Sequence, residues 1–203
     1  NIVVDPSTGY PIIASDDIIA GTIQPDYLAG VNNNFSYKNI SLGFTFDIRK
    51  GGLMFSRTKS TMIFAGTDPI TTYNDREPFV IPNSVIQNAD GTYSPNTTPI
   101  GDALTYWSGF VSPTPNETLI DASYIKLREV SLTYKLPSRF IRNTFISGVS
   151  VSLTGRNLWI KTHKDNHYVD PEASSFGNGN AQGFEYGTLP SVKSYGANIR
   201  LTF

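Results

Sequence analysis

Apolar and polar residues alternate with a period of two in five stretches of this chain. In the clearest, Ile40, Leu42, Phe44, Phe46 and Ile48 alternate with Ser41, Gly43, Thr45, Asp47 and Arg49. That pattern puts the two sets on opposite faces of a strand. Just before it, Val31, Asn33, Phe35 and Tyr37 alternate with Asn32, Asn34, Ser36 and Lys38, which predicts a hairpin over 28–49 with a tight turn at Lys38-Asn39. Tyr124 to Leu136, stopped by Pro137, reads as a third strand. Val130, Leu132 and Tyr134 share one face of it, but Ile125 and Leu127 fit the opposite phase, so a bulge is expected near Arg128-Glu129. Val149, Val151 and Leu153 begin a fourth strand against Ser150, Ser152, Thr154 and Arg156. A slip at Gly155-Arg156-Asn157 would then hand the apolar role to Leu158 and Ile160. The fifth strand, 191–203, sets Tyr195, Ala197, Ile199, Leu201 and Phe203 against Gly196, Asn198, Arg200 and Thr202.

Between these strands the periodicity is lost. Residues 1–27, broken by Asp5-Pro6-Ser7-Thr8-Gly9 and Gln24-Pro25-Asp26, read as the tail of a long loop. Residues 50–122 carry Pro69, Pro78, Pro82, Pro95, Pro99, Pro113 and Pro115, with one short helix expected near Met54 to Phe64. A connector, 137–148, joins the two strands of 123–160 and has room for a helical turn at Ser138 to Asn143. Residues 161–190 form a second long, Gly-rich loop. Structureless loops of this size are uncommon in compact domains. Outer-membrane barrels are the exception, pairing short periplasmic turns with long extracellular loops. With Phe203 on the periplasmic side, the turns at 38–39 and 137–148 are periplasmic and the long segments extracellular. Tyr37, Tyr134 and Phe203 then fall together at the periplasmic rim, where an aromatic girdle belongs. Five strands cannot close a barrel, and open edges are not tolerated in lipid, so the rest of the wall is expected elsewhere.

Composition adds to this picture. Charged residues make up 16% of the chain, against about 25% in average soluble proteins. No apolar run approaches the ~18 residues of a transmembrane helix, so any membrane crossing falls to the strands. The chain has no cysteine, which removes disulfides, thiol nucleophiles and Cys-based zinc sites. A net charge of -1 leaves no electrostatic footprint for nucleic acid. The opening Asn1-Ile2-Val3-Val4-Asp5-Pro6 reads as a piece that starts mid-sequence.

Candidate chemistry is sparse. His163 and His167 stand four apart near Asp165, Asp170 and Glu172, but the stretch lacks helical periodicity and reads as a solvated loop rather than a metal pair. Gly177-Asn178-Gly179 has no following helix to cradle a phosphate. No arrangement of carboxylates or of Ser, His and Asp suggests catalysis, so neither enzymatic activity nor a cofactor is expected. Asp47, Arg49, Arg156 and Arg200 lie on polar faces and would line a lumen, since charge on a lipid face costs about 2–4 kcal/mol at mid-membrane. Tyr106 and Trp107 could stack on a ligand or touch a lid, although ordinary loop packing is the preferred reading.

Five strings then occur in one order: GVNNNFSYKNISLGFTFDIRKGG (Gly30 to Gly52, after Gln24-Pro25-Asp26), DASYIKLREVSLTYKLP (Asp121 to Pro137), VSLTGRNLW (Val151 to Trp159), YVDPEASSFGNG (Tyr168 to Gly179) and SYGANIRLTF (Ser194 to Phe203). Together they resemble the C-terminal part of SusC/RagA-type TonB-dependent outer-membrane transporters of Bacteroidetes. The resemblance implies an all-β fold, with about five antiparallel strands forming the C-terminal segment of a large, roughly 22-stranded transmembrane barrel. It implies an active importer of oligosaccharides or oligopeptides, capped by a SusD-like lipoprotein and driven by the TonB complex through N-terminal parts outside this chain. Tyr195, Ile199, Leu201 and Phe203 would form the barrel-assembly signal. Two alternatives stand beside it: a soluble β-sandwich carbohydrate-binding module, and a self-assembling adhesin domain that pairs its open edges with copies of itself.

Overall fold

The computed structural model describes the chain except residues 17, 178 and 180 and the side chain of residue 116. The Gly177-Asn178-Gly179 stretch thus has its middle residue outside the described residues. The chain forms two compact units: Asn1–Gly21, Met54–Ile120 and Ser175–Gly187 in one, and Thr22–Leu53, Asp121–Ser174 and Thr188–Phe203 in the other.

The second unit is built on one antiparallel sheet of strands β1 (Tyr27–Tyr37), β2 (Ile40–Lys50), β3 (Tyr124–Lys135), β4 (Gly148–Thr162) and β5 (Ser194–Thr202), in the order β5-β4-β3-β2-β1. Directly opposed residues share a face, so the registers assemble the alternating positions into rows. One face carries Tyr37-Ile40-Tyr134-Val151-Ile199, Phe35-Leu42-Leu132-Leu153-Ala197 and Val31-Phe46-Leu127-Trp159. The other carries Ser36-Ser41-Thr133-Ser152-Asn198, Asn34-Gly43-Ser131-Thr154-Gly196 and Asn32-Thr45-Glu129-Arg156-Ser194. Hydroxyl pairs tie the polar rows, Ser36 to Ser41 at 2.9 Å and Thr133 to Ser152 at 2.8 Å. The apolar rows stand open: Phe35, Leu153, Tyr195 and Ile199 are all more than half exposed. In water such a continuous apolar face is unfavourable.

The bulge falls where the pattern puts it. Leu127 pairs with Phe46 and Glu129 with Thr45, which leaves Arg128 without a partner in the ladder. Ile125, Leu127 and Val130 thereby reach the same face despite their sequence phase. In β4 the expectation needs correction. Asn157 takes a left-handed conformation (φ 52°), and Leu158 folds over Gly155, where an added Cβ would meet its methyl groups at 2.9 Å. Beyond that point Trp159 pairs with Leu127 and Lys161 with Ile125, whereas Ile160 pairs with Lys126 on the polar face. The local kink uses two residues, so the phase beyond it is unchanged and Ile160 does not take the apolar role.

The first unit corrects the reading of 1–27 and 50–122 as structureless. Its core joins Val4, Ile63, Phe79, Ile81, Ile100, Ala103, Tyr106, Trp107 and Val111. The elements are short, which is why no periodicity marks them. Ile2–Val3 pairs in parallel with Ser84–Gln87, and that strand pairs with Tyr93–Pro95 around Gly91 (φ 82°). Phe184–Glu185 runs parallel to Phe55–Ser56. Helix α1 (Arg57–Phe64) starts later than the sequence suggests, because Leu53–Ser56 is extended. Ser56 caps it by accepting from the Lys59 amide at 3.1 Å, and the buried Glu185 carboxylate accepts from the Ser56 and Thr58 hydroxyls at 2.9 and 2.7 Å.

Tyr106 and Trp107 lie in the core of this unit, the packing preferred for them over a ligand contact. They are only 8% and 7% exposed and meet edge to face at 4.8 Å, with Phe79 edge-on to Tyr106 at 5.4 Å. Neither offers a free ring. Replacing the fully buried Ile63 by alanine should destabilise this unit by about 2–5 kcal/mol, through lost burial and the cavity left behind. Limited proteolysis of the intact protein would show it as faster cleavage within 54–120, while the sheet keeps its resistance.

Candidate functional site

A charged cluster sits on the polar face where β3 bulges. Register puts Lys126 opposite Asp47, and the bulge frees Arg128 to reach across β2. Its guanidinium donates to Asp47 Oδ2 at 2.5 Å, to Asn157 Oδ1 at 3.3 Å, and through both terminal nitrogens to the Glu172 carboxylate. Tyr124 donates to Glu172 Oε1 at 2.8 Å. The Lys126 ammonium, buried at 1% exposure, donates to Glu172, to Ser191 Oγ at 2.6 Å and to Asp170 Oδ2 at 3.5 Å. Asp170 also accepts from the Ser191 amide at 3.1 Å and the Glu172 amide at 3.0 Å.

The two ends of the 163–193 connection, up to Ser174 and from Thr188, are therefore anchored on the polar face of the sheet by Asp170, Glu172 and Ser191. Local geometry prepares this. Asn166 is buried, accepts from the Val169 amide at 3.2 Å and donates to the Val169 carbonyl at 3.0 Å, turning the chain toward Asp170. Asn157, at its left-handed position, donates to the Val192 carbonyl at 3.1 Å. Two cations, Lys126 and Arg128, face three carboxylates, Asp47, Asp170 and Glu172. Burial alone would raise the Glu172 carboxyl, but the Arg128, Lys126 and Tyr124 hydrogen bonds outweigh it and hold Glu172 down at about 2. Asp170 is likewise lowered, its burial outweighed by Ser191, the Glu172 amide and Lys126.

Of the residues expected along a lumen wall, only Asp47 belongs to this cluster. The Arg49 guanidinium turns to backbone carbonyls, Ile23 at 2.8 Å and Gly51 at 3.4 Å, and fastens the chain entering β1. Arg156 pairs with Glu129 at 3.1 Å, with Arg156 exposed and Glu129 partly so, an arrangement worth little energy. Arg200 stands exposed on the polar face in a row with Ser150 and Lys135. Tyr195, Ile199, Leu201 and Phe203 share the apolar side of β5 and its end, with Tyr195, Ile199 and Leu201 opposite Gly155, Val151 and Val149. Phe203 stacks on Phe145 at 5.7 Å. His163 lies 3.3 Å from Asp165 and 3.9 Å from Asp121, whereas His167 rests against Tyr168. Among the described residues no three metal-type ligands converge.

Sequence reasoning missed Lys126, Arg128, Asp170, Glu172 and Ser191. The available signal was the phase slip itself, which frees one side chain from the ladder and here frees an arginine.

Breaking a buried ion pair on one side strands the other charge, at a cost of about 3–5 kcal/mol. Glu172→Gln in the intact protein should loosen residues 164–174 and 188–193 and expose them to protease. The pH dependence has a definite sign. A carboxyl held at about 2 against its ordinary 4.5 stabilises fully above 4.5 and loses that stabilisation as pH falls towards 2. Pepsin should spare residues 164–174 and 188–193 in the native protein near pH 4 and cut there near pH 2, and should cut the Gln variant at both.

No family model matches the chain. It is 30% identical over 96% of its length to TonB-dependent receptor P26 of Formosa agariphila, of which the match covers 19%. To TonB-dependent receptor P3 of the same organism it is 25% identical over 95% of its length and 18% of that receptor's. The chain thus spans about a fifth of the length of the curated relatives it matches. Among solved structures it resembles the RagAB peptide importer in the closed-closed state, with a TM-score of 0.62 and 22% identity over 98% of this chain and 22% of that one. A further RagAB peptide transporter structure gives a TM-score of 0.60 at 21% identity, again over 98% of this chain and 22% of the other. Sequence likeness to TonB-dependent receptors along nearly the whole chain, and a five-stranded antiparallel sheet with one open apolar face, agree that this is a segment of an outer-membrane β-barrel of the TonB-dependent receptor kind.

Proposed function

We propose that the protein containing this segment is an active importer of oligosaccharides or oligopeptides across the outer membrane, driven by the TonB complex and capped by a SusD-like surface lipoprotein. The observation that carries this reading is the division of the five-stranded sheet into unbroken apolar rows on one face and polar rows on the other. Such a wall suits lipid outside and an aqueous, plugged lumen inside. Its outer strands β1 and β5 offer edges to further strands of the same barrel. A soluble β-sandwich would cover the apolar rows with a second sheet, and the exposure of Phe35, Leu153 and Ile199 speaks against that. The segment itself supplies wall and loops.

In this reading the turns at 38–39 and 136–147 face the periplasm, and the segments 1–21, 54–120 and 175–187 are extracellular. This chain has no native cysteine, so single cysteines introduced into it, in a receptor whose other native cysteines, where present, are replaced by serine, make the topology measurable. On intact cells, Thr97→Cys, at an exposed position of the long segment, should react with a membrane-impermeant maleimide. Asn143→Cys, exposed in the connector after β3, should react only after the outer membrane is permeabilised. Equal labelling of both on intact cells would reject the topology.

Import is tested by deleting the whole receptor gene in the source organism and measuring growth and uptake on defined oligosaccharides and oligopeptides, with and without a working TonB complex. Loss of uptake of one class, reproduced by loss of TonB function, is the expected result. Unchanged uptake of both classes would overturn the proposal.

A further inference from the structure

One end of the sheet carries cationic and aromatic side chains but no acidic side chain. It comprises the β1-β2 turn, the connector after β3 and the end of β5. Residues 36–41, 130–150 and 198–203 contain no Asp or Glu, yet hold Lys38, Lys135, Arg139, Arg142 and Arg200. The opposite end is mixed, with Asp26, Asp121, Asp165, Asp170 and Glu172. Lys135 and Arg200 share a row with Ser150 on the polar face, while Lys38, Arg139 and Arg142 are exposed in the two turns.

The aromatics at this end are also unusually bare. Tyr37, Phe140, Phe145 and Phe203 are 72%, 60%, 82% and 75% exposed. Phe145 and Phe203 stack with parallel, offset rings, their centres 5.7 Å and their planes 8° apart. Phe203 continues the parity of Ile199 and Leu201, so this pair prolongs the apolar face beyond the last row of the ladder. Two turn cations sit over rings: the Lys38 ammonium lies 5.2 Å from the Tyr37 ring centre and the Arg139 guanidinium 4.7 Å from that of Phe140. Each ring takes the apolar side of an interface and holds a positive charge just beyond it.

We infer that Lys38, Arg139 and Arg142, together with the Phe145-Phe203 stack, form a docking surface for anionic phospholipid headgroups in the leaflet at this end of the barrel. Two observations select that occupant. The surface is continuous with the lipid-facing rows, so acyl chains already lie against it. Its side-chain charges are of one sign, which a phosphodiester with no compensating ammonium group complements and a zwitterionic headgroup does not. Cations close to an anionic membrane surface contribute roughly 1 kcal/mol each. The stacked phenylalanines would hold the connector at the depth where its arginines meet phosphate. The inference rests on the barrel reading above.

The test uses the intact receptor, purified from outer membranes in detergent and exchanged into phosphatidylglycerol, phosphatidylethanolamine or an equal mixture, with retained lipid counted by native mass spectrometry. The native protein should retain phosphatidylglycerol over phosphatidylethanolamine. The triple variant Lys38→Gln, Arg139→Gln, Arg142→Gln should lose about tenfold or more of that preference, as expected for removing three surface cations. The charge-preserving variant Lys38→Arg, Arg139→Lys, Arg142→Lys should keep it. Equal retention of the two lipids by the native protein, or an unaltered preference in the triple Gln variant, would overturn the inference. So would protection of these turns by a co-purifying periplasmic protein instead of lipid. Each of those failures leaves the barrel reading standing, since extraction from outer membranes and cysteine topology are measured separately. A receptor that never enters the outer membrane would sink both.

Discussion

Everything in the sheet unit depends on cross-strand register. The side-chain period of a strand is two, so a slip of one residue between neighbours would carry a whole apolar set to the polar face. Five strands keep Phe35, Leu42, Leu132, Leu153 and Ala197 in one row only because both irregularities are contained. In β3 the extra residue at Arg128 restores the phase that Ile125 and Leu127 would otherwise break. In β4 the left-handed Asn157 and the folding of Leu158 over Gly155 take up two residues and leave the phase beyond them unchanged.

The same bulge has a second consequence. A residue released from the ladder has no cross-strand neighbour to pack against, and its side chain is free to reach sideways. Arg128 uses that freedom to join Asp47 on β2 to Glu172 on the long connection, while Lys126 beneath it holds Glu172, Asp170 and Ser191. A burial that would be costly for any one of these charges is sustained because each is met by hydrogen bonds and an opposite charge. A defect in the strand thus becomes the point where a connection is held to the wall.

The loop unit follows a different logic. Its elements are two to eight residues long, too short for a period to be read, and its stability rests on a small core gathered from distant positions. Tyr106 and Trp107 show the effect. In sequence they stand in a proline-rich stretch that leaves a surface platform open beside the preferred loop packing, and in three dimensions Phe79 packs edge-on to Tyr106 while Ile63 shares their core.

Local alternation was enough to determine the strands, the tight turn at Lys38-Asn39, the bulge near Arg128 and the division of the sheet into apolar and polar faces, because each depends on neighbours within a few residues. The resemblance of five ordered strings added the barrel family. Tertiary structure alone decided the rest. Whether Ile160 turned to the apolar or the polar face depended on its partner Lys126 across the sheet. Whether Tyr106 and Trp107 were covered depended on residues Val4 and Phe79, far off in the chain. The Lys126-Arg128 cluster depended on Asp170 and Glu172 returning from more than forty positions away. A pattern with a period of two carries information about faces but none about which distant segment comes to lie on them, and contacts of that kind exist only once the chain has closed the intervening loops.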